Sequence, residues 1–294
     1  MLYFLERKSE LVTVHERIIE ENSEFVVSEL AFADAGGIEV EAYLKVPFEG
    51  GPLHPVMITL GGAAAGREVI DYLGDTGGWM ILALDYPYRG ATDDMSHWEF
   101  VSILPGARRA MLDTVPAGML ALDYLYRRDD VDRKRIVLSG GSFGALFSPA
   151  LAAADDRVSA VAILFGAGHL QQVIDANLDL PSPVRQVVAW VGSVIVSPLE
   201  PLKYVHRISP RPVFMLSGTE DVAMPEEISR ALHEAAGEPK TIRWLSLGHV
   251  NLKSTEFHQQ VLDACMEWLQ EIGFMTEDEV FVLPTSAARE WEVE

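Results

Sequence analysis

Cysteine is nearly absent from this sequence, since Cys265 is the single one in 294 residues. One cysteine cannot form a disulfide within the chain, and it cannot build a cysteine-based metal site. The stretch around it, VLDACMEWLQ, has the spacing of an amphipathic helix, and we expect Cys265 to be a buried, apolar side chain there. The sequence indicates no metal and no organic cofactor.

Basic residues are also scarce. The chain has 23 Lys and Arg against 44 Asp and Glu, which gives a formal net charge of −21. Nucleic acids and anionic membranes both require basic patches, so neither is expected as a partner. The charge serves solubility, and it also predicts a field that repels anionic substrates and favours neutral or cationic ones.

Long hydrophobic runs are missing as well. The longest apolar stretch, residues 187–196, is far shorter than the roughly 20 residues that span a bilayer. The N-terminus is broken by charges every few residues and lacks the apolar segment of a signal peptide. We therefore expect a cytoplasmic protein that is not associated with a membrane.

Short runs rich in Val, Ile and Leu alternate with segments of helical spacing. Hydrophobic residues make up 49% of the chain, enough for a sizeable core. Such runs are typical of strands buried on both faces of a mostly parallel sheet. The predicted fold class is α/β, as a single domain over 1–294, with helices on both faces of the sheet. A hairpin over 24–47 precedes the predicted strands 55–60, 79–87, 135–140, 158–166, 211–218 and 241–248.

Two segments fall outside this alternation, an insertion and a C-terminal tail, and a helix precedes it. We predict an N-terminal helix at about 1–22 and a helical cap insertion at about 167–208. The acidic tail at about 275–294 is predicted to pack on the body or on a second subunit, so a homo-oligomer remains open. Pro116 lies in a predicted helix over about 106–128, which either kinks or begins there.

The predicted strand 135–140 runs into Gly140-Gly141-Ser142-Phe143-Gly144. This is the pattern G-x-S-x-G at a strand-to-helix junction, a sharp turn that raises a serine hydroxyl above the sheet. The apolar strand before it and the helix-compatible residues after it favour a catalytic nucleophile over a serine in a plain glycine-rich loop. We predict Ser142 as that nucleophile.

A serine needs a base, and the base needs an orienting acid. Asp221 follows the predicted strand 211–218 and is our candidate acid, with Glu220 as its competitor. His249 follows the strand 241–248 directly and is our candidate base. The remaining histidines precede the serine, lie in or beside the cap, or fall on predicted helices: His15, His54, His97, His169, His206, His233 and His258.

Acyl transfer also requires backbone N–H groups that hold the oxyanion. We expect one from Phe143, the residue after the nucleophile. The other is expected from the turn after the strand 55–60, where small residues let the backbone approach a substrate closely. Gly62 is the first candidate for this donor and Ala63 the second.

From about residue 25 to 272 the sequence resembles the α/β-hydrolase superfamily. The resemblance rests on GGSFG with Ser142, GTEDVAMP with Asp221, LGHVN with His249, and the LGG turn at 60–62. The segment DYPYRG (85–90) is similar to the DYRG-like turn of many members. The passage LALDYLYRRDDVDRKRIVLSGGSFGA resembles the helix-to-nucleophile passage of the dienelactone-hydrolase, acetyl-xylan-esterase and prolyl-oligopeptidase-like branches. The chain departs from them in having Leu60 where a histidine often precedes the oxyanion glycines.

The predicted function is a serine esterase that cleaves small or medium neutral esters through an acyl-enzyme. The apolar residues between 187 and 195 would roof the pocket or, alternatively, pack on the core. An aminopeptidase-like, acyl-peptidase-like or acyl-transferring enzyme with the same three residues is the alternative. A binding protein on a hydrolase fold is a third hypothesis, disfavoured because all three catalytic residues are present.

Overall fold

A nine-stranded sheet forms the centre of the computed structural model, which describes residues 2–63, 65–87, 97–251 and 253–284. Its spatial order is β1-β2-β3-β5-β4-β6-β7-β8-β9. The strands from β4 to β9 are parallel, and β1 to β3 form an antiparallel edge. The strand bounds are β1 Leu11–Glu21, β2 Phe25–Asp34, β3 Glu39–Pro47, β4 His54–Leu60, β5 Met80–Leu84, β6 Val131–Gly141, β7 Ala160–Leu164, β8 Val213–Gly218 and β9 Lys240–Leu245.

Helices lie between the strands along the chain. The α-helices are α1 Leu2–Leu5, α2 His97–Leu125, α3 Ser148–Ala154, α4 Leu170–Ala176, α5 Val184–Ile195, α6 Glu226–Ala235 and α7 Thr255–Glu271. Short 3-10 helices occupy Gly66–Tyr72, Ser142–Leu146, Ser197–Leu199, Pro201–Lys203 and Val205–Arg207. None of the helices in these described residues is long and apolar enough to cross a membrane.

Each face of the sheet carries its own apolar core. Along β4, Ile58 packs into the core shared with α2 and α3, whereas Met57 packs into the core shared with α7. The same alternation runs along β5, where Leu82 and Ile81 point to opposite cores. Both faces are thus covered, which explains why these strands are apolar throughout and confirms the predicted fold class.

The predicted N-terminal helix at about 1–22 is wrong. The helix spans only Leu2–Leu5, and Leu11–Glu21 is the edge strand β1, paired antiparallel with β2. Charged and apolar side chains along β1 are mostly exposed, so the segment lacks the alternation of a half-buried strand. Charged residues are common on edge strands because they discourage pairing with other chains. The β-branched residues Val12 to Val14 and Ile18 to Ile19 fit a strand better than a helix.

The long helix α2 begins earlier than predicted and ends close to the expected position. Pro116 lies inside it, as does Pro105, so the helix does not begin at Pro116. The missing proline N–H removes one backbone hydrogen bond but does not end the helix. The cap segment at 167–208 contains α4, α5 and three 3-10 turns, placed between β7 and β8. Cys265 is buried on α7, as predicted.

Candidate active site

The carboxyl ends of the parallel strands bring together the residues that the sequence singles out. Ser142 follows β6, Asp221 follows β8, and His249 follows β9. Parallel strands all end at the same edge of the sheet, so side chains from distant parts of the chain meet there. The site lies at this edge.

Ser142 lies at a strained turn between β6 and a 3-10 helix, with a φ of 51°. Positive φ is rare for residues other than glycine, and strain of this kind is concentrated at functional sites. Gly140 and Gly144, on either side of Ser142, lie where a larger residue would collide with neighbouring atoms. A Cβ on Gly144 would collide with the carbonyl oxygen of Leu60, and one on Gly140 would collide with the hydroxyl of Ser148. The G-x-S-x-G pattern thus reflects the close approach of the turn to β4 and α3.

A hydrogen bond connects Ser142 to His249, with 2.7 Å between Oγ and Nε2. On the other side of the ring, Nδ1 lies 2.8 Å from Oδ2 of Asp221. A carboxylate only accepts, so Nδ1 carries the proton and donates it to Asp221. Nε2 is then the lone-pair nitrogen, and the hydroxyl of Ser142 donates to it. This is the proton arrangement that a general base requires before attack.

Asp221 is held as an acceptor in a buried position, with its side chain 1% exposed. Its Oδ1 accepts from the backbone N–H groups of Ala223 and Met224 at 2.9 and 2.8 Å. Glu220, the competing candidate, is exposed. A buried carboxylate must have hydrogen-bond partners, and Asp221 has them on both oxygens. The geometry therefore selects Asp221 over Glu220 as the partner of His249.

Backbone hydrogen bonds hold the loop after β8, which carries Asp221 and is called the acid loop, against the loop after β9, which carries His249. The N–H of Thr219 donates to Leu245, and the N–H of Glu220 donates to Leu247, at 2.9 and 3.0 Å. These bonds continue the pairing of β8 with β9 beyond the ends of both strands. They hold the chain just before Asp221 against the chain just before His249.

Phe165, at the end of β7, supports the imidazole. Its ring meets that of His249 edge to face, with centroids 6.2 Å apart, and it stacks on Phe257 at 5.3 Å. Phe165 is buried and has a φ of 53°, unusual for a bulky residue. Its ring therefore packs against the imidazole that contacts Ser142.

The turn after β4 lies against the nucleophile. A Cβ built on Gly62 would be 4.0 Å from Cβ of Ser142. The hydroxyl of Tyr86 donates to the carbonyl oxygen of Gly61. In a trans peptide the C=O of Gly61 and the N–H of Gly62 point in opposite directions. Because Tyr86 holds the carbonyl on one side, it also fixes the direction of the Gly62 N–H. Ala64, in the same turn, lies outside the described residues.

Tyr86 is well placed to remain a hydrogen-bond donor. Burial, with a smaller effect from Asp85, raises the pKa of its hydroxyl well above the ordinary value. Its ring packs against Phe143, the residue after the nucleophile, with centroids 5.0 Å apart. Tyr86 thus contacts both segments predicted to supply oxyanion donors.

Tyr86 and Phe165 contact the site, although no motif in the sequence predicts a role for either. Tyr86 belongs to the DYPYRG segment, whose residues 88–90 lie outside the described residues. Tyr86 follows β5, which is adjacent to β4 in the sheet. Because adjacent parallel strands end side by side, this position indicates that Tyr86 lies near the turn after β4. Phe165 had no motif, and only its position after a parallel strand could have identified it.

The cap insertion is attached to the acid loop. The side chain of Asn177, at the end of α4, donates to the carbonyl oxygen of Ala223 at 2.9 Å. On α5, Val187, Trp190 and Val194 are 59%, 57% and 55% exposed. The alternative in which this apolar face packs on the core is therefore wrong for these three residues.

Within the described part of the chain, no group of three or more His, Cys, Asp or Glu side chains is arranged to hold a metal ion. The polar side chains of the site are already paired with one another.

The chain is similar to known proteins in sequence and in structure. A Salmonella typhimurium protein, uncharacterized protein YfhR, is 27% identical over 214 residues, which cover 65% of this chain and 72% of that protein. No family model matches the chain.

Among solved structures, an acetyl xylan esterase from a Paenibacillus species superposes with a TM-score of 0.68 at 18% identity, covering 92% of this chain and 91% of that one. Acetyl xylan esterase 1 from a Thermoanaerobacterium species gives 0.63 at 18% identity, covering 92% and 93%. Methylesterase BT1017 gives 0.64 at 20% identity, covering 94% and 61%. This chain has the α/β-hydrolase fold.

Proposed function

We propose that the protein is a serine esterase, with Ser142 as nucleophile, His249 as general base and Asp221 as the acid that orients it. The observation that carries the proposal is the unbroken hydrogen-bonded chain from Ser142 through His249 to Asp221. Several solved structures with the same fold are named as esterases, which supports an ester as the substrate.

In the proposed reaction His249 Nε2 takes the hydroxyl proton as Ser142 Oγ attacks the ester carbonyl carbon. The resulting oxyanion accepts from the N–H groups of Phe143 and Gly62. The ester C–O bond then breaks, and the alcohol leaves with the proton from His249. Water attacks the acyl-enzyme by the same route, releasing the carboxylic acid and restoring the serine.

The substrates proposed are small or medium neutral esters, such as acetyl esters. Two of the neighbours are acetyl xylan esterases by name. The bond from Asn177 to Ala223 attaches the cap insertion next to Asp221, and the cap is proposed to cover the acyl or alcohol group. The apolar side chains of α5 are available for this contact.

The test is a series of p-nitrophenyl esters with increasing acyl length, assayed beside aminoacyl anilides. We expect turnover of the short esters and none of the anilides. Ser142→Ala and His249→Ala should lower kcat about 10⁵- to 10⁶-fold, because the three residues act as a unit. A Ser142→Ala enzyme that kept a tenth of the activity would refute the assignment.

Two further variants separate the acid from its neighbour. Asp221→Asn keeps the size of the side chain but favours the wrong histidine tautomer, and kcat should fall about 10⁴-fold. The matched control is Glu220→Gln, which removes an exposed carboxylate one residue away. We expect it to retain activity within about twofold.

A further inference from the structure

The helix α5 of the cap insertion turns an apolar stripe to the outside of the molecule. Exposed valines recur along it at intervals of three, four and three residues, at Val184, Val187, Val191 and Val194. This is the a and d spacing of a coiled-coil heptad, which aligns side chains along one stripe that faces a second helix. Each of the four is between 42% and 59% exposed, and together they form a valine seam.

The opposite side of α5 packs against its own chain. Ala189, at the f position of the same heptad and therefore farthest from the seam, is fully buried. A Cβ built on Gly192 would be 3.2 Å from the side chain of Ile174 on α4. Arg185 forms an ion pair with Asp175 of α4 at 3.0 Å. Among the described residues, α4 therefore covers the inner face of α5, and the valine seam is left exposed.

The surroundings of the seam carry almost no charge. Residues 180–199 contain no Asp or Glu, although the chain as a whole has a formal net charge of −21. The e and g positions beside the seam are Val188 and Trp190, both exposed, where charged residues would otherwise select a different partner helix. Two copies that repel each other by their net charge can therefore approach through α5 without bringing acidic side chains together.

A membrane surface fits this helix less well than a second helix does. Amphipathic helices that lie on a membrane are rich in Lys and Arg on their polar face. Arg185 is the only charged residue of α5, and it is already paired with Asp175. The heptad spacing and the lack of free basic residues both favour a protein helix over lipid.

We propose that the valine seam is the interface of a homodimer, in which α5 packs against α5 of a second copy. An antiparallel pair about a two-fold axis sets Val187 opposite the partner's Val191 and Val184 opposite the partner's Val194. Each of these contacts occurs twice, because the same surface serves both copies. The interface is thus self-complementary along its whole length.

The exposed area is sufficient for a specific but weak dimer. The exposed parts of the four seam valines, Val188 and Trp190 amount to roughly 500 Å² on each copy, near the upper limit for a patch on a monomer. Pairing would bury about 1,000 Å² in total, which is the lower limit for a specific interface. We therefore expect a dimer that dissociates on dilution.

The pairing would bring the second copy close to the acid loop. The ion pair between Arg185 and Asp175 holds the beginning of α5 against the end of α4. Asn177, which follows α4, donates to the carbonyl oxygen of Ala223 in the acid loop. The interface does not depend on the proposed esterase activity, so it is tested by association alone.

The experiment is sedimentation velocity of the full chain over a series of concentrations. We expect the native protein to sediment as a dimer at micromolar concentration. In Val187→Glu the dissociation constant should rise about 100-fold, because a charge replaces a buried valine once in each copy. The matched control is Gln186→Glu, which adds the same charge at an exposed position off the seam and should dimerise like the native protein. Far-UV circular dichroism shows whether both variants are folded.

Salt distinguishes this interface from one held by ion pairs. Between about 0.01 and 0.15 M salt the native dimer should tighten, because salt screens the repulsion of the two net charges and breaks no ion pair in the seam. A native protein that stays monomeric would overturn the proposal, as would a dimer that Val187→Glu leaves intact or that salt weakens. Dimers that form only after residues 285–294 are removed would make the tail the occupant of the seam. Monomers that bind phosphatidylcholine vesicles through Val187 would make lipid the occupant, and either result would overturn the proposal.

Discussion

Among single residues, Tyr86 controls the geometry of the site without belonging to the hydrogen-bonded chain of three. Its hydroxyl fixes the Gly61 carbonyl and, through the planar peptide, the N–H of Gly62. This makes Tyr86 a positioning residue for the proposed oxyanion donor. An oxyanion donor stabilises the transition state more than it stabilises the bound substrate. Displacing the donor should therefore lower kcat.

Tyr86→Phe removes only this hydroxyl. We expect kcat for a short ester to fall about tenfold with KM changed less than twofold, since the donor is loosened but not removed. The matched control is Tyr204→Phe, which deletes an equivalent hydroxyl bond to the carbonyl of Pro198, 2.6 Å long, in the cap. Both variants should lose similar stability, but only Tyr86→Phe should lose kcat. Equal kcat values in the two variants would contradict the positioning role.

His233 carries a pH dependence of stability. Burial, followed by the charges of Arg230 and Lys240, lowers its pKa to about 4, and its ring is hydrogen-bonded with Ser217 at 3.2 Å. The unfolded chain binds this proton near pH 6.5 and the folded chain only near pH 4. Its stabilising contribution is therefore complete above pH 6.5 and is lost as the pH falls toward 4.

The variant His233→Gln keeps an amide for Ser217 but does not titrate. Between pH 6.5 and 4.5 its free energy of unfolding should fall by about 2 kcal/mol less than that of the native protein. Urea denaturation at a series of pH values measures this difference. The control is His206→Gln, at an exposed histidine. If His233→Gln and the native protein lose stability in parallel, the buried neutral histidine is not responsible.

At the scale of elements, the sequence predicted the parallel strands well and the N-terminal segment poorly. β4, β5, β7 and β8 are short, mostly apolar runs because helices cover both faces, and this pattern is visible locally. β1 is defined by its pairing with β2, and most of its side chains are exposed. Its strand character therefore depends on a neighbour and not on its own pattern of burial. That Ser142, Asp221 and His249 lie close together could be predicted, because each lies in the chain just after a parallel strand.

The chain after α7 forms an arm, residues 274–284, that is attached to the body by specific contacts. Phe281 is 2% exposed and meets Trp79 edge to face, with centroids 5.8 Å apart. The backbone of Val282 exchanges hydrogen bonds with Gly74 and Asp75 at 2.7 and 2.9 Å. The arm therefore closes the core on the α7 side of the sheet.

Phe281→Ala should lower the free energy of unfolding by about 3–5 kcal/mol, since it removes a buried ring and leaves a cavity. Val282→Ala, at a neighbour that is 44% exposed, is the control and should lower it by less than about 1 kcal/mol. Denaturant titration of both variants makes the comparison. A loss below about 1 kcal/mol in Phe281→Ala would show that the arm is not part of the core.

The whole molecule carries a formal net charge of −21, and this charge should act on the substrate before binding. A field of one sign changes the local concentration of charged substrates, and added salt screens it. The field does not change the local concentration of neutral esters. Substrate preference should therefore depend on ionic strength for charged esters only.

We expect kcat/KM for p-nitrophenyl succinate, an anionic ester, to rise several-fold between about 0.01 and 0.15 M salt, as the Debye length falls from about 30 to about 8 Å. The control is p-nitrophenyl acetate, whose kcat/KM should remain within about twofold. Parallel responses of the two esters to salt would show that the net charge does not reach the site.

Fluorophosphonates react with activated serine nucleophiles, so labelling followed by peptide mapping tests whether Ser142 is one. We expect one label per chain, on the peptide containing Ser142, and no label in Ser142→Ala. His249→Ala should slow the labelling of Ser142 strongly, because the serine then lacks its base. A native protein that stays unlabelled, or that is labelled at another residue, would show that Ser142 is not the nucleophile.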